Sequence, residues 1–285
     1  MMRKIVVPTD FSKNAFNALK YAVELFKYEK CEIFILHAFA DEVYDDMSIN
    51  NQALLEDLKD SVQVKSEKEI AQIILDIKEY SPNPHHHFKS ISEFGSLVDE
   101  INEVVNEENA DIIIMGTRGK TNYQHITFGT NTLQVIKYVH CPVLSIPENY
   151  EFKTPKNFLF PTNYMIPYQK RELKLVADLS SAYQAIIHLL YISEFPVESF
   201  RQKDNQLFLK EQFYETGFKF HRGEETDKIK AINKNIGSLN IDLLIMVNSR
   251  YTYLETILSG STIDIIGLQP KIPFLILQNF YRQIT

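Results

Sequence analysis

The sequence predicts an α/β fold made of two successive domains, each a mostly parallel sheet with helices on both faces. Three observations carry that prediction. Short apolar, β-branched runs alternate with helical periodicities through the first half, the pattern of a parallel sheet covered on both sides. The second half repeats landmarks of the first. The length, 285 residues, is about twice the roughly 150 residues of one domain.

The elements follow in order. Lys4-Ile5-Val6-Val7, ended by Pro8, reads as a strand. Ala15, Leu19, Ala22, Val23 and Phe26 form one face of a helix, and Ser12 is placed to cap it. Residues 32–39 are a second strand, and the acidic, polar stretch 41–51 reads as a loop whose part 41–46 overhangs the expected ligand cleft. A long helix carries Leu55, Leu58, Val62, Ile70, Ile73, Ile74 and Ile77, and Pro82 and Pro84 break it. Residues 85–92 make a weaker third strand. Gly95 opens a helix with Leu97, Val98, Ile101, Val104 and Val105 on one side. Residues 111–115 are the cleanest strand. A glycine-containing loop, a helix over 129–139 and a closing strand at 142–146 complete the half, giving β-α-β-α-β-α-β-α-β.

The repeat is read by offset. Asp111-Ile-Ile-Ile-Met115 matches Asp242-Leu-Leu-Ile-Met246 at 131 residues, as do Gly129-Thr130 with Gly260-Ser261 and Cys141-Pro142 with Ile272-Pro273. Val7-Pro8-Thr9-Asp10-Phe11 matches Phe160-Pro161-Thr162-Asn163-Tyr164 at 153, so the second copy has lost about 22 residues, placed in the long helix. The domains are expected at 1–149 and 150–285, joined by a linker over 148–155.

Composition narrows the function. Thirty basic residues against thirty-seven acidic give a net charge of −7, which argues against a general nucleic-acid or anionic-membrane binder. Two cysteines, Cys31 and Cys141, exclude a disulfide framework and favour a reducing compartment. No apolar run approaches the ~20 residues that span a bilayer, and Ile5-Val6-Val7 is too short for a secretory signal. A cytoplasmic protein is the expectation.

The segment that carries chemistry is Gly116-Thr117-Arg118-Gly119, nine residues, then Gly129-Thr130-Asn131-Thr132. The first glycine follows the best strand and the last opens a helix. Glycines admit close backbone approach, loop N–H groups can form an anion-binding concavity, and a helix N-terminus adds free donors and a positive dipole end. Thr130 and Thr132 offer hydroxyls, and Arg118 or Lys120 can neutralise phosphate. The competing reading is a plain loop with a capped helix. Asp10, at the end of the first strand, is either a ligand contact or the cap of the next helix. Gly116-Thr-Arg-Gly-Lys120-Thr121 lacks Walker spacing. His85-His86-His87 reads as a solvated edge strand rather than a metal tract, Cys141 as a buried small residue, and His37 as core or supporting.

The chain resembles a tandem universal stress protein in its opening Val-Val-Pro-Thr-Asp-Phe-Ser, in Leu36-His37-Ala38, in the glycine loop and in the closing Cys-Pro-Val-Leu. The resemblance implies open five-stranded sheets of order 3-2-1-4-5 and binding of ATP, alone or with Mg2+. It implies that Pro8, Thr9 and Asp10 border the nucleoside, that backbone at Ala38 meets adenine, and that Met115 and Gly116 lie on the nucleoside side. Arg118, Gly119, Gly129, Thr130, Asn131 and Thr132 would hold the phosphates. In the second copy Gly116 becomes Val247, Gly119 becomes Arg250 and Asp10 becomes Asn163; only Gly260-Ser261 survives. One adenine nucleotide per chain is therefore expected, in an ATP-binding stress-response regulator with unidentified protein partners. A slow ATP hydrolase, a phosphotransferase and a nucleotide-free interaction scaffold are the alternatives, because no catalytic base is legible beside the loop. The two closing strands are expected to pair the halves as an internal pseudo-dimer, and a homodimer of whole chains is also open.

Overall fold

β1 (Arg3–Pro8) is the middle strand of the first sheet, and its run Ile5-Val6-Val7 is buried on both faces, as a central parallel strand requires. The structure, a computed structural model, describes residues 2–45, 52–117, 129–193, 195–223, 227–248 and 271–279. Contacts divide the chain into two compact units, with the break after Phe152.

In the first unit the elements after β1 are α1 (Lys13–Leu25), β2 (Cys31–Ala38), α2 (Ala40–Tyr44), α3 (Gln52–Tyr80), β3 (His86–Glu93), α4 (Leu97–Glu107), β4 (Ile112–Gly116), α5 (Thr130–Tyr138) and β5 (Val143–Ile146). The strand order is β3-β2-β1-β4-β5 and the pairings are parallel, as expected. Ser12 caps α1 by accepting from the Ala15 N–H at 3.1 Å. Phe11, just before the cap, sits at φ 60°, left-handed backbone that a bulky residue rarely adopts.

Two expectations are corrected here. Residues 41–44, read as the start of a loop, belong instead to the short helix α2, which buried Ala40 and Val43 anchor. His86 is not solvated. It is 5 % exposed, its Nε2 lies 3.2 Å from the Phe26 carbonyl, and burial lowers its pKa. His85 and His87 do face solvent, as strand alternation requires.

The second unit contains β6 (Asn157–Thr162), α6 (Lys170–Tyr183), β7 (Ile186–Tyr191), α7 (Phe200–Gln212), β8 (Phe218–Arg222), α8 (Lys228–Ser238), β9 (Leu243–Asn248) and β10 (Phe274–Gln278). Its order, β8-β7-β6-β9-β10 with parallel pairing, repeats that of the first unit. The repeat extends to single hydrogen bonds. Asp111 Oδ2 accepts from the Lys4 N–H at 3.0 Å, and Asp242 Oδ2 accepts from the Asn157 N–H at 2.9 Å. The left-handed residue recurs too, as Tyr164 at φ 57°. The shortening lies where the offsets place it: α7 has 13 residues against 29 in α3. Arg250 and Gly260-Ser261 lie outside the described residues.

Candidate functional site

β1 and β4 are neighbours, but the chain leaves β1 toward β2 and leaves β4 toward β5. Where successive connections part in this way, the carboxyl ends of the strands border a crevice. A cavity of about 230 Å³ occupies it. Pro8, Thr9 and Asp10 reach it from the end of β1, Ala38 from β2, and Met115 and Gly116 from β4. Gly129, Thr130, Asn131 and Thr132 approach from the start of α5. Ten of the twelve sequence-derived candidates thus line one cavity; Arg118 and Gly119 lie outside the described residues.

Each wall has a local cause. The Thr9 N–H donates to the Leu36 carbonyl at 2.8 Å, the last bond joining the end of β1 to β2. The chain then turns away, with Thr9 Oγ1 accepting from the Phe11 N–H at 3.0 Å and Asp10 Oδ1 from the Ser12 N–H at 3.1 Å. Ser12 is therefore the helix cap, and Asp10 braces the turn while lining the cavity. In a parallel strand, alternate residues direct both backbone groups to the same neighbour. Leu36 faces β1, so Ala38 faces the same way, beyond the point where β1 ends. Its N–H and carbonyl border the cavity rather than a strand.

The N-terminus of α5 is pinned to the end of β4. The Gly129 N–H donates to the Thr117 carbonyl at 2.7 Å, and Thr132 Oγ1 donates to the Gly116 carbonyl at 3.0 Å. Gly129 is the N-cap and offers no side-chain bond to the first turn. The first intrahelical bond runs from the Leu133 N–H to the Gly129 carbonyl, so the N–H groups of Thr130, Asn131 and Thr132 precede the helical ladder. Thr130 and Asn131 are exposed, whereas Thr132 is 2 % exposed. The Thr132 hydroxyl proton is committed to Gly116, so that side chain positions the helix end instead of offering a free donor.

Sequence reasoning missed Ala15 and Leu97, which line the cavity; the carboxylates Asp41 and Glu42, from the acidic stretch expected to overhang the cleft, line it too. The available signal was position: Leu97 and α2 follow the ends of β3 and β2, on the same edge of the sheet. His37 both lines the cavity and supports it. Its Nε2 lies 3.3 Å from Glu42 Oε1 and its Nδ1 2.8 Å from Ser66 Oγ, and the Phe11 ring packs on it at 4.5 Å. Ser92 Oγ donates to Ser66 Oγ at 2.7 Å, so His37 joins α2, α3 and β3 behind the cavity.

At the corresponding strand ends of the second unit, the described polar side chains have partners within that unit. Thr162 Oγ1 accepts from the Tyr164 N–H at 2.9 Å and is also bonded to the Tyr168 hydroxyl. Buried Asn248 donates to Gln278 Oε1 at 3.0 Å, and Glu172 Oε2 accepts from the Gln278 N–H at 3.1 Å. Asn248 and Gln278 are thus bonded across β9 and β10, while Thr162 at the end of β6 is bonded within its own turn. Val247 stands where the first unit has Gly116.

Among the described residues no group of three His, Cys, Asp or Glu side chains could hold a metal, and no helix is long and apolar enough to cross a membrane. Both cysteines are buried, and burial pushes the Cys31 thiol up to about 12, as in an inert core residue.

Known proteins agree with this architecture. Universal stress protein MJ0577 of Methanocaldococcus jannaschii is 33% identical over 155 residues, 51% of this chain and 95% of that protein. Universal stress protein YxiE of Bacillus subtilis is 26% identical over 147 residues, 51% of this chain and 99% of its own length. The fold of the whole chain matches that of a universal stress protein from Archaeoglobus fulgidus, with a TM-score of 0.67, 96% of both chains covered and 20% identity. A family model described as the universal stress protein family matches residues 1–147. With that match over half its length, the chain belongs to the universal stress protein family.

Proposed function

We propose that the first unit binds one adenine nucleotide, ATP in the first instance, and acts as a nucleotide-dependent regulator or interaction module. The observation that carries this reading is a cavity with two kinds of backbone donor. Ala38 offers an N–H and a carbonyl, the pair an adenine edge needs. The start of α5 offers uncapped N–H groups and a positive dipole end, the pair a phosphate needs. A volume of about 230 Å³ is below the ~300–1,000 Å³ of a complete ligand pocket, so it suits the nucleoside, with phosphates at α5 and the loop of Arg118 and Gly119. Asp10 is placed for ribose hydroxyls. Mg2+ would accompany the phosphates rather than occupy a protein cage. The second unit, in which the glycine pattern is lost, serves as a scaffold or a docking surface.

Calorimetric titration with ATP tests the reading. The expected stoichiometry is one per chain. Gly116→Val, which installs the second unit's residue, should abolish binding without unfolding the protein. Arg118→Ala should weaken binding by about 1–3 kcal/mol, the worth of a charge-assisted contact. Stoichiometry near two, or unchanged affinity in Gly116→Val, overturns the assignment.

A further inference from the structure

Asp41 and Glu42 give the cavity of the first unit an acidic lip at its β2 end. β2 and β4 flank β1 on opposite sides, and neighbouring strands lie ~4.8 Å apart, so groups carried by β2 and α2 stand about 10 Å from those carried by β4 and α5. Asp10, at the end of β1, lies between them. The carboxylates of α2 therefore stand across the crevice from the phosphate donors of α5. They share their end with Ala38, whose N–H and carbonyl border the cavity.

Glu42 is held there by a neighbour. Its side chain is 41 % exposed, so burial does not fix it, but its Oε1 lies 3.3 Å from Nε2 of His37, the residue next to Ala38. The tether has a direction. Ser92 Oγ donates to Ser66 Oγ at 2.7 Å, and the Ser66 hydroxyl proton is then directed at His37 Nδ1, 2.8 Å away. With Nδ1 an acceptor, Nε2 carries the ring proton and donates it to the Glu42 carboxylate. A neutral imidazole thus satisfies both neighbours.

The second unit shows that packing does not ask for a histidine at this point. Pro8 pairs with Leu36 and Pro161 with Leu190, so Tyr191 is the counterpart of His37. The His37 ring lies 4.5 Å from that of Phe11, and the Tyr191 ring lies 5.3 Å from that of Tyr164, the counterpart of Phe11. Tyr191 donates its hydroxyl to the Phe195 carbonyl at 2.9 Å and fills the same place beside the same turn. An aromatic ring is common to both units. The imidazole, with a carboxylate on it, belongs to the unit that keeps the glycine pattern.

We propose that Glu42, aimed by His37, reads the six-position of a purine bound in the cavity and selects an exocyclic amino group over an oxo group. The inference rests on the adenine reading of the cavity and adds a side chain to the backbone contacts of Ala38. An amino group at that position carries two protons, one for the Ala38 carbonyl and one for Glu42. An oxo group brings only lone pairs, so it faces two acceptors and makes neither bond. A site built to bond a donor rejects the analogue lacking it, because the site's own groups are left unpaired. His37 is a positioning residue that acts through Glu42.

Calorimetric titration of the full chain with ATP, inosine triphosphate and 2′-deoxy-ATP tests this. The native chain should prefer ATP to inosine triphosphate. Glu42→Gln keeps the shape and supplies an amide that can turn a donor to the oxo group. It should lower the preference about tenfold, the scale of one hydrogen bond to a charged group. His37→Tyr, which installs the second unit's ring, should lower the preference with Glu42 still present, whereas a purely structural role would weaken both nucleotides alike. The ratio of ATP to 2′-deoxy-ATP affinity should be the same in Glu42→Gln as in the native chain. ATP binding with a preference over inosine triphosphate that Glu42→Gln leaves intact would overturn this inference alone. So would a fall in the ratio of ATP to 2′-deoxy-ATP instead, which would move Glu42 to the ribose. A chain that binds no ATP would overturn the adenine reading itself, and this inference with it.

Discussion

Replacing Thr132 by valine isolates the contact that sets the α5 N-terminus against the end of β4. Valine keeps the shape and β-branching of threonine and removes only the hydroxyl. The native bond to the Gly116 carbonyl is 3.0 Å long and the side chain is 2 % exposed, so solvent does not replace the lost donor easily. Leaving a buried acceptor short of its donor costs about 1–3 kcal/mol. For a unit of this size each kcal/mol lowers the midpoint by roughly 2–4 °C, so the first unit should melt about 2–12 °C lower. Nucleotide binding should suffer separately, because the helix end must be re-ordered against Gly116 as the phosphates arrive. About tenfold weaker binding, or ~1.4 kcal/mol, is the expected scale. Differential scanning calorimetry reads the first effect and ATP titration the second. A variant that melts like the native protein and binds ATP with native affinity would refute the claim that Thr132 positions the site.

Two further outcomes are expected. Purified protein with Mg2+ and ATP should turn over far below ~1 s⁻¹, the low end of common enzymes; a rate at or above that, lost in Asp10→Ala, would favour a hydrolase. In the second unit, His188 Nδ1 lies 2.8 Å from His221 Nε2, and burial, with charge repulsion from His221 on His188 and from Lys219 on both, lowers the two pKa values below 6.5. The folded state thus resists protonation, while the unfolded state takes protons as soon as pH falls through 6.5, so stability should be flat above that pH and decline below it. His188→Phe, the residue type at the register-equivalent Phe34, should flatten the decline in denaturant titrations at graded pH; an unchanged slope would show that this pair is not its source.

The inner strands were readable because buried parallel strands are continuous apolar runs, such as Ile112-Ile113-Ile114-Met115, whereas β3 is largely exposed and read weakly and β7 and β8 were not located individually. The glycine-loop candidates were readable because close backbone approach restricts residue type. What escaped depended on contacts between distant segments. Val43 gives no local helix signal, yet its burial turns part of an acidic stretch into α2. His86 looked like one of three surface histidines, and only the Phe26 carbonyl, sixty residues away in sequence, explains its burial. The bonds at the strand ends of the second unit were invisible as well: Val247 and Asn163 showed that the first unit's pattern had been lost, but not that Thr162 would bond to Tyr168 or that Glu172 would accept from the Gln278 N–H. Phosphate-site side chains that look alike in sequence also divide by geometry, since Thr130 is exposed while Thr132 is locked to Gly116.

The left-handed residue after the central strand, Phe11 in one unit and Tyr164 in the other, has a bearing on how such chains change over time. A bulky aromatic at positive φ costs on the order of 1–3 kcal/mol and persists only where its surroundings enforce it. Strain of this kind is often attributed to the ligand it presents. Here the same turn is retained in a unit whose sequence has lost the glycine pattern, so its upkeep is owed to the scaffold. Presentation and occupancy are then separable inheritances: one lies in the strand-to-helix turn, the other in the segment after the fourth strand. A duplicated unit can lose its ligand by drift in that second segment alone, without refolding. By the same logic it could acquire a different ligand while the costly turn stays in place.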